Sequence, residues 1–368
     1  MMSGSEEPLA RMSRPRASRL RRRTHERRLR SLELLVAIVV AVGGIAYAST
    51  QTDLTAHAAG SPSPTVTPGP PPSLLVLSVT GAPKPLVAVI GTGGNPPAAM
   101  GVPQGLSIEV PGAGELTTKG VTALPAPALQ VAISNLVGAW AQHYAVTDLS
   151  HLGAMVDRIG SLRFRLPEAV TLGSSVIGPG SVRMTGAQVT AFMGATGADT
   201  FTRWEILLDG LLHATPELQR ADLTATDDLA GVQATLDEAK DAQIETLPVQ
   251  LATASIRVPK YPALDALMRA RFGVTRTPVP VIVQNGVGTP AIGEAVGRLL
   301  IPKGFRVTLS QNAETFGQAV TQIEALGDAF LPDARRARAA LGVGRVRVSP
   351  VASGIGEVQI VVGKDFTA

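Results

Sequence analysis

The feature that most constrains this chain lies at its start. Ten arginines fall between Arg11 and Arg30, and this basic block runs straight into the apolar segment Leu32 to Ala48. Glu33 is the one charge inside the segment. As a helix it comes close to spanning a bilayer core, which takes roughly 17–25 residues. An arginine excess on one side of a span favours keeping that side in the cytoplasm, and anionic headgroups help to hold it there. The expectation is a cytoplasmic tail at residues 1–31, one transmembrane helix at 32–50, and an extracytoplasmic remainder. Ala46-Tyr47-Ala48 and Ala56-His57-Ala58 also have the A-x-A form of signal-peptide cleavage sites. Cleavage is therefore the alternative, and either outcome exports the rest of the chain.

The pI of about 9.7 invites a nucleic-acid reading. The charge map argues against it. Ten of the 33 Lys+Arg and only three of the 29 Asp+Glu (Glu6, Glu7, Glu26) lie in residues 1–31. The remainder holds 23 Lys+Arg against 26 Asp+Glu, a net charge of −3. No nucleic-acid partner is expected. The absence of cysteine excludes disulfides, a thiolate nucleophile, a Cys-ligated metal site and a lipid anchor on cysteine.

Residues 51–73 form a linker, with prolines at 62, 64, 68, 70, 71 and 72 that favour an extended spacer. The first folded region runs over 74–273. Leu74 to Val79 and Leu86 to Ile90 are continuous apolar runs, the pattern of strands covered on both faces. Pro127 to Gln142 has helical apolar spacing through Trp140. Asp148 can cap a helix to Ile159, with a strand at Arg163 to Leu166. Thr185 to Gln188 fits a capping box, Thr215-Pro216 fits a helix start, and Pro262 to Phe272 reads as a closing helix. A weaker break, TRTPVP at 275–280, precedes a second strand–helix region over 278–366. There Val279 to Gln284, Phe305 to Leu309, Val346 to Val348 and Val358 to Val362 read as strands. Thr289-Pro290 starts one helix and Pro332 to Leu341 forms another. The expected fold class is α/β or α+β, a central sheet with flanking helices followed by a small C-terminal α/β domain.

The second region resembles the C-terminal domain found on LytR–CpsA–Psr (LCP) proteins. The likeness rests on Val281-Ile282-Val283-Gln284-Asn285-Gly286, on Gly293 and Ala295, on Gly304-Phe305-Arg306-Val307, and on the ending Val361-Val362-Gly363-Lys364-Asp365-Phe366. The first region is similar, more faintly, to the LCP domain itself. Its matching segments are Met100 to Gly112, Gly186 to Phe192, Ala221-Asp222-Leu223-Thr224 and Glu245-Thr246-Leu247-Pro248. The resemblance implies a role in moving glycopolymers from a polyprenyl-pyrophosphate carrier to peptidoglycan with Mg²⁺. It also implies an anchor at the outer membrane face, with polyprenyl lipid, cell-wall glycan and other envelope proteins as partners.

The family's charged positions are largely replaced. Gln104 and Gly105 stand where the family has Arg-Asp, Pro85-Leu86 where it has Asp-Thr, and Gly194-Ala195-Thr196 where it has R-x-R. Arg203 survives, with Asp199 before it, while Ile206 and Leu207 replace the later Arg and Gln. Pyrophosphate binding calls for several Arg or Lys donors, and Mg²⁺ calls for carboxylate oxygens. Yet Lys84 and Glu109 are the only charges between Leu74 and Gly112, and none occurs between Gly120 and Thr147. Losing one such donor typically costs about 3–4 kcal/mol of transition-state stabilisation. The expectation is a catalytically degenerate LCP-type protein that binds or scaffolds, with no cofactor and no metal site. The alternative is an active, divergent Mg-dependent phosphotransferase. Arg203 and Asp199 are its remnant catalytic candidates, with Arg163, Arg165 and Gln104 as binding candidates. For Arg203 an ordinary helix-surface arginine is an equal reading. For Arg163 and Arg165, on alternate positions of one strand, a solvated sheet face competes.

Three further patterns have plainer explanations. Gly286-Val287-Gly288-Thr289-Pro290-Ala291 satisfies the loose dinucleotide pattern, but the next strand ends in Ser310-Gln311 rather than an acid, which favours a tight turn. Gly91-Thr92-Gly93-Gly94 lacks the Lys-Ser/Thr of a phosphate loop and reads as a hairpin turn. His143, His151 and His213 lack metal-ligand spacing.

Overall fold

The computed structural model describes residues 73–367 apart from Pro85, residues 195–199 and 254–255, and Ala352. The basic tail, the segment 32–50, the linker up to residue 72 and Asp199 lie outside the described residues. Among the described residues no helix is long and apolar enough to cross a membrane.

The two apolar runs become β1 (Leu74–Thr80) and β2 (Leu86–Gly91), an antiparallel pair buried along nearly its whole length. The chain continues through β3 (Ala98–Gly101), the hairpin of β4 (Ser107–Val110) and β5 (Gly114–Thr117), helices α1 (Thr118–Thr122) and α2 (Ala126–Val137), then β6 (His143–Asp148). After α3 (Leu149–Arg158) come β7 (Leu162–Leu166), the small hairpin β8 (Val170–Leu172) and β9 (Ser175–Ile177), and β10 (Gly180–Met184). Helices α4 (Gly186–Gly194) and α5 (Thr200–Ala214) follow, then β11 (Ala225–Thr226), α6 (Leu229–Glu238), β12 (Gln243–Thr246), β13 (Val249–Leu251), β14 (Arg257–Pro259) and α7 (Tyr261–Arg271).

Six of these strands form one mixed sheet in the order β11-β6-β1-β2-β3-β12, with β1 antiparallel to β2 and parallel to β6. Alternation sorts its side chains onto two cores. Leu75, Val79, Ala88 and Ile90 face α3 to α6, while Leu74, Val76, Val87 and Val89 face α2 and α7. The expected mixed fold is present, and burial on both faces explains why β1 and β2 read as unbroken apolar runs. Asp148 accepts from the N–H groups of Ser150 and His151 at the start of α3, and Thr185 and Gln188 form the reciprocal pair that opens α4. The glycine-rich stretch after β2 is the connection to antiparallel β3.

Two helix expectations fail for physical reasons. α2 stops at Val137 because Gly138 takes φ +68, a left-handed helix cap, and the Ser134 hydroxyl accepts from the N–H of Ala141 just beyond it. Trp140 therefore leaves the helix face on which its spacing had put it. Thr215-Pro216 starts no helix. It is instead the exit from α5, with Thr215 at φ +40, and an irregular stretch leads to a single 3₁₀ turn at Arg220–Asp222.

The second region is β15 (Val279–Asn285), α8 (Ile292–Leu300), β16 (Phe305–Asn312), β17 (Gln322–Ala325), α9 (Leu331–Leu341), β18 (Arg345–Val348) and β19 (Val358–Val362). Its sheet has the order β16-β15-β19-β17-β18. The helix expected from Thr289-Pro290 begins only at Ile292, after Ala291 in a left-handed conformation. Strand β17, Gln322-Ile323-Glu324-Ala325, is half polar and carries no apolar run to mark it in the sequence.

The order leaves β16 at an edge, and an edge strand needs partners for its free backbone groups. The first region supplies them. The Asn135 carboxamide accepts from the Val307 N–H at 2.7 Å and donates to the Val307 carbonyl at 2.8 Å, as a neighbouring strand would. Glu109 accepts from the Ser310 N–H at 2.6 Å, and the Ser310 hydroxyl accepts from the Gly112 N–H at 2.8 Å. Gly112 and Gly293 meet so closely that a Cβ on either would fall within 2.7 Å of the other segment's backbone. Arg306 completes the seam. Its guanidinium donates to both Asp265 oxygens at 2.6 and 3.2 Å and lies 4.3 Å over the Tyr261 ring, with side-chain exposures of 5% for Arg306 and 10% for Asp265. The break at 275–280 is thus a break in the chain but not in the packing.

Two outcomes test the seam. Arg306→Met strands a buried carboxylate and should cost about 3–5 kcal/mol in urea unfolding, with much of the loss recovered by adding Asp265→Leu. A loss near zero for the single variant would refute a tight buried pair. Burial in the seam pushes Glu109 up to about 7, against the pull of the Ser310 N–H and with Glu115 opposite adding to the rise. The folded state therefore holds this proton more tightly than the unfolded chain, whose carboxyl titrates near 4.5. The stability this group contributes is fully present below that value and is lost as pH rises through about 7. Glu109→Gln should flatten the fall in urea midpoints between pH 5 and 7.5. An unchanged slope would contradict the assignment.

Candidate functional site

The first region closes an apolar cavity between its sheet and helices. Leu75, Leu77 and Val79 from β1 form one wall, Leu208, Leu211 and Leu212 from α5 the opposite one, and Met155, Val232 and Leu236 close the sides. Its volume is about 50 Å³, well below the roughly 300–1,000 Å³ of ordinary ligand pockets. An occupant larger than a water molecule or two would have to part the helices from the sheet.

One carboxylate lines this cavity. Asp222, with 6% of its side chain exposed, is gripped bidentately by Arg158 at 2.6 and 2.7 Å and accepts from the Gln219 N–H at 2.6 Å. Arg158 also donates to the Glu217 carbonyl. The irregular 215–223 stretch is thereby tied to the end of α3. Burial alone would raise the Asp222 carboxyl, but the Arg158 and Gln219 hydrogen bonds outweigh it and hold the carboxyl below its ordinary range. The Ala221–Thr224 resemblance pointed at Asp222. Nothing pointed at Arg158, whose partner is 64 residues away in sequence.

The residues singled out in the sequence do not share one pocket. Arg203 is in the first turn of α5, donates to the Phe192 carbonyl at 3.2 Å and sits 5.5 Å over the Phe192 ring. It borders a cleft of about 500 Å³ whose other charged lining residue is Glu168. Arg163 and Arg165 point outward from β7, with Arg183 of β10 directly across from Arg163, and neither lines the Arg203 cleft. Gln104 is a partly buried turn residue between β3 and β4, beside an exposed Gly105. Asp199 is outside the described residues.

Among the described residues no group of three His, Asp or Glu side chains is gathered to hold a metal ion. Each described histidine has a local carboxylate neighbour: His143 with Asp227, His151 with Asp148, His213 with Asp209 and Asp241. In the 286–291 turn the Asn285 side chain accepts from the Val287 and Gly288 N–H groups and donates to the Thr289 carbonyl. Amides that a phosphate would need are already used by the turn.

Replacing Arg158 with Met leaves Asp222 charged, nearly buried and unpaired. Arg158 itself keeps 32% of its side chain exposed, so solvent tempers the loss to about 1–3 kcal/mol at pH 7. A carboxyl held below its unfolded value contributes stability above that value and loses it as pH falls. The variant should therefore approach the wild type as pH falls below the ordinary carboxylate range. A gap that stays constant with pH would exclude the ion pair as its cause.

Residues 278–366 match the family described as LytR cell envelope-related transcriptional attenuator. No curated protein matches the chain in sequence. Among solved structures, the LytR-CPS2A-psr family protein YwtF (TagT) with bound octaprenyl pyrophosphate lipid is similar at 11% identity and a TM-score of 0.46. It covers 57% of this chain and 93% of its own. TagV of Bacillus subtilis is similar at 9% identity and 0.45, covering 56% and 99%. A transcriptional regulator of Enterococcus faecalis is similar at 12% identity and 0.46, covering 56% and 89%. Residues 278–366 are therefore similar to the LytR C-terminal family, over that stretch of the chain.

Proposed function

We propose that this is a membrane-anchored cell-envelope protein that binds the apolar chain of a polyprenyl-linked glycopolymer and scaffolds its attachment to peptidoglycan without catalysing it. The cavity between β1 and α5 carries the reading. It is lined almost wholly by aliphatic side chains, a surface that recognises hydrocarbon and offers nothing to a pyrophosphate. Each buried CH₂ is worth about 0.8 kcal/mol, so a few isoprene units would repay parting the helices from the sheet. The replacement of charged family positions by Gln104, Gly105, Ile206 and Leu207 supports binding over transfer. The basic tail and the 32–48 apolar run support anchoring, with the ectodomain on the face where lipid-linked glycans are displayed.

The competing reading is an active phosphotransferase built on Arg203 and Asp199. One experiment separates them. The full chain in detergent is given a photoreactive polyprenyl pyrophosphate with and without Mg²⁺. The binding reading expects crosslinks on α5 or β1, suppressed by Leu208→Trp, and no phosphate release. Mg-dependent release that disappears in Arg203→Ala would establish the enzyme instead. Absence of crosslinks on either element would remove the lipid from the proposal.

A further inference from the structure

A wider recess lies elsewhere, where the two regions meet. It is an open groove of about 730 Å³ between the turn after α2, the 274–276 connection, the 301–304 turn and α9. Its charged lining residues are Arg276, Lys303 and Arg336, with no Asp or Glu among them. Arg336 is committed to the fold, pairing with Asp333 at 3.1 Å and stacking 4.6 Å over Phe305. Arg276 and Lys303 are exposed, and neither side chain has an ion pair or hydrogen bond with any described residue. Both stand on a body whose net charge beyond the tail is −3.

Trp140 is the second element. The left-handed cap at Gly138 turns it out of α2 and into this groove, half-buried, with its indole N–H bonded to no described residue. Gln142 beside it uses its carbonyl oxygen to accept from the Leu74 N–H at 2.6 Å, which leaves its amide N–H groups to donate. The side chains here therefore offer donors and positive charge around one aromatic face. A ligand matching that set has a flat apolar face for the indole, oxygen acceptors for the N–H groups, and anionic groups for the two cations.

We propose that this groove binds an anionic saccharide chain, with Trp140 stacking on a sugar ring and Arg276 and Lys303 holding its acidic groups. Two free cations and one ring fall far short of the multiple phosphate contacts that hold a nucleic acid. The site is independent of the apolar cavity, which lies on the other face of β1 and stands or falls on a different ligand.

The test uses the full chain in detergent with phosphorylated and carboxymethylated dextran oligomers, unsubstituted dextran of the same length, and linear polyphosphate. Trp204, the chain's other tryptophan, is fully buried, so acrylamide quenching reports mainly on Trp140. At least one charged dextran should protect Trp140. Trp140→Ala and the pair Arg276→Ser/Lys303→Ser should each weaken that binding at least tenfold by calorimetry, while Lys119→Ser/Arg345→Ser should leave it unchanged. The proposal is overturned if neither charged dextran binds, or if plain dextran or polyphosphate binds as tightly. Equal weakening by the Lys119/Arg345 control pair would also overturn it, by reducing the effect to general charge.

Discussion

The seam between the two regions depends on one buried guanidinium. Arg306 sits in the edge strand of one sheet, yet its charge is satisfied by Asp265 on a helix of the other region and its flat face by Tyr261. A buried ion pair is a poor source of net stability, since desolvation offsets most of the attraction. What it does well is refuse alternatives. Sliding or detaching β16 would leave a charge in an apolar seam, and the Asn135 carboxamide would lose its match to Val307 at the same step. The contacts are therefore specific before they are strong. They fix how the 301–304 turn and α9 face the turn after α2, which is what shapes the groove.

The first region uses charge differently. Its sheet is apolar on both faces, and its cavity meets a single carboxylate, already neutralised by Arg158. Phosphoryl chemistry needs preorganised cations where negative charge develops. The described side chains supply one arginine at the Arg203 cleft, stacked on Phe192, and set Arg163 and Arg165 on an outward ribbon instead. Like charges directly opposite, as Arg163 and Arg183 are, disfavour their own strand pairing. That cost is small at an exposed position, which is why such a ribbon persists without a role being forced on it.

Much of this architecture was legible in the sequence where local chemistry decided it. Doubly covered strands read as unbroken apolar runs, Asp148 and Thr185 read as caps, and the C-terminal region read through its Val281–Gly286 and Val361–Phe366 segments. The misses share a cause. Trp140 has helical spacing, but a glycine two residues earlier overrides the spacing. Thr215-Pro216 has the form of a helix start, yet α5 already occupies the residues before it. The seam was hidden more deeply. Asn135 lies in an apolar helix and is explained by Val307, 172 residues away, and Arg306 lies in an apolar strand and is explained by Asp265, 41 residues away. Long-range polar satisfaction leaves no periodic trace, so pattern reading passes over the residues that orient one region on the other.

The same reasoning separates the two recesses. The cavity of about 50 Å³ admits a lipid chain only once the helices part from the sheet. The groove needs no such movement. Its cations are exposed, so their charge carries little desolvation cost and little stabilising return, and folding alone does not account for them. Nor does folding call for an aromatic turned away from the helix that its spacing suits. Arg336 shows what a structural arginine in this groove looks like, paired with Asp333 and stacked on Phe305. Arg276 and Lys303 have neither kind of partner among the described residues, and that contrast within one groove is the physical reason to look for an anion between them.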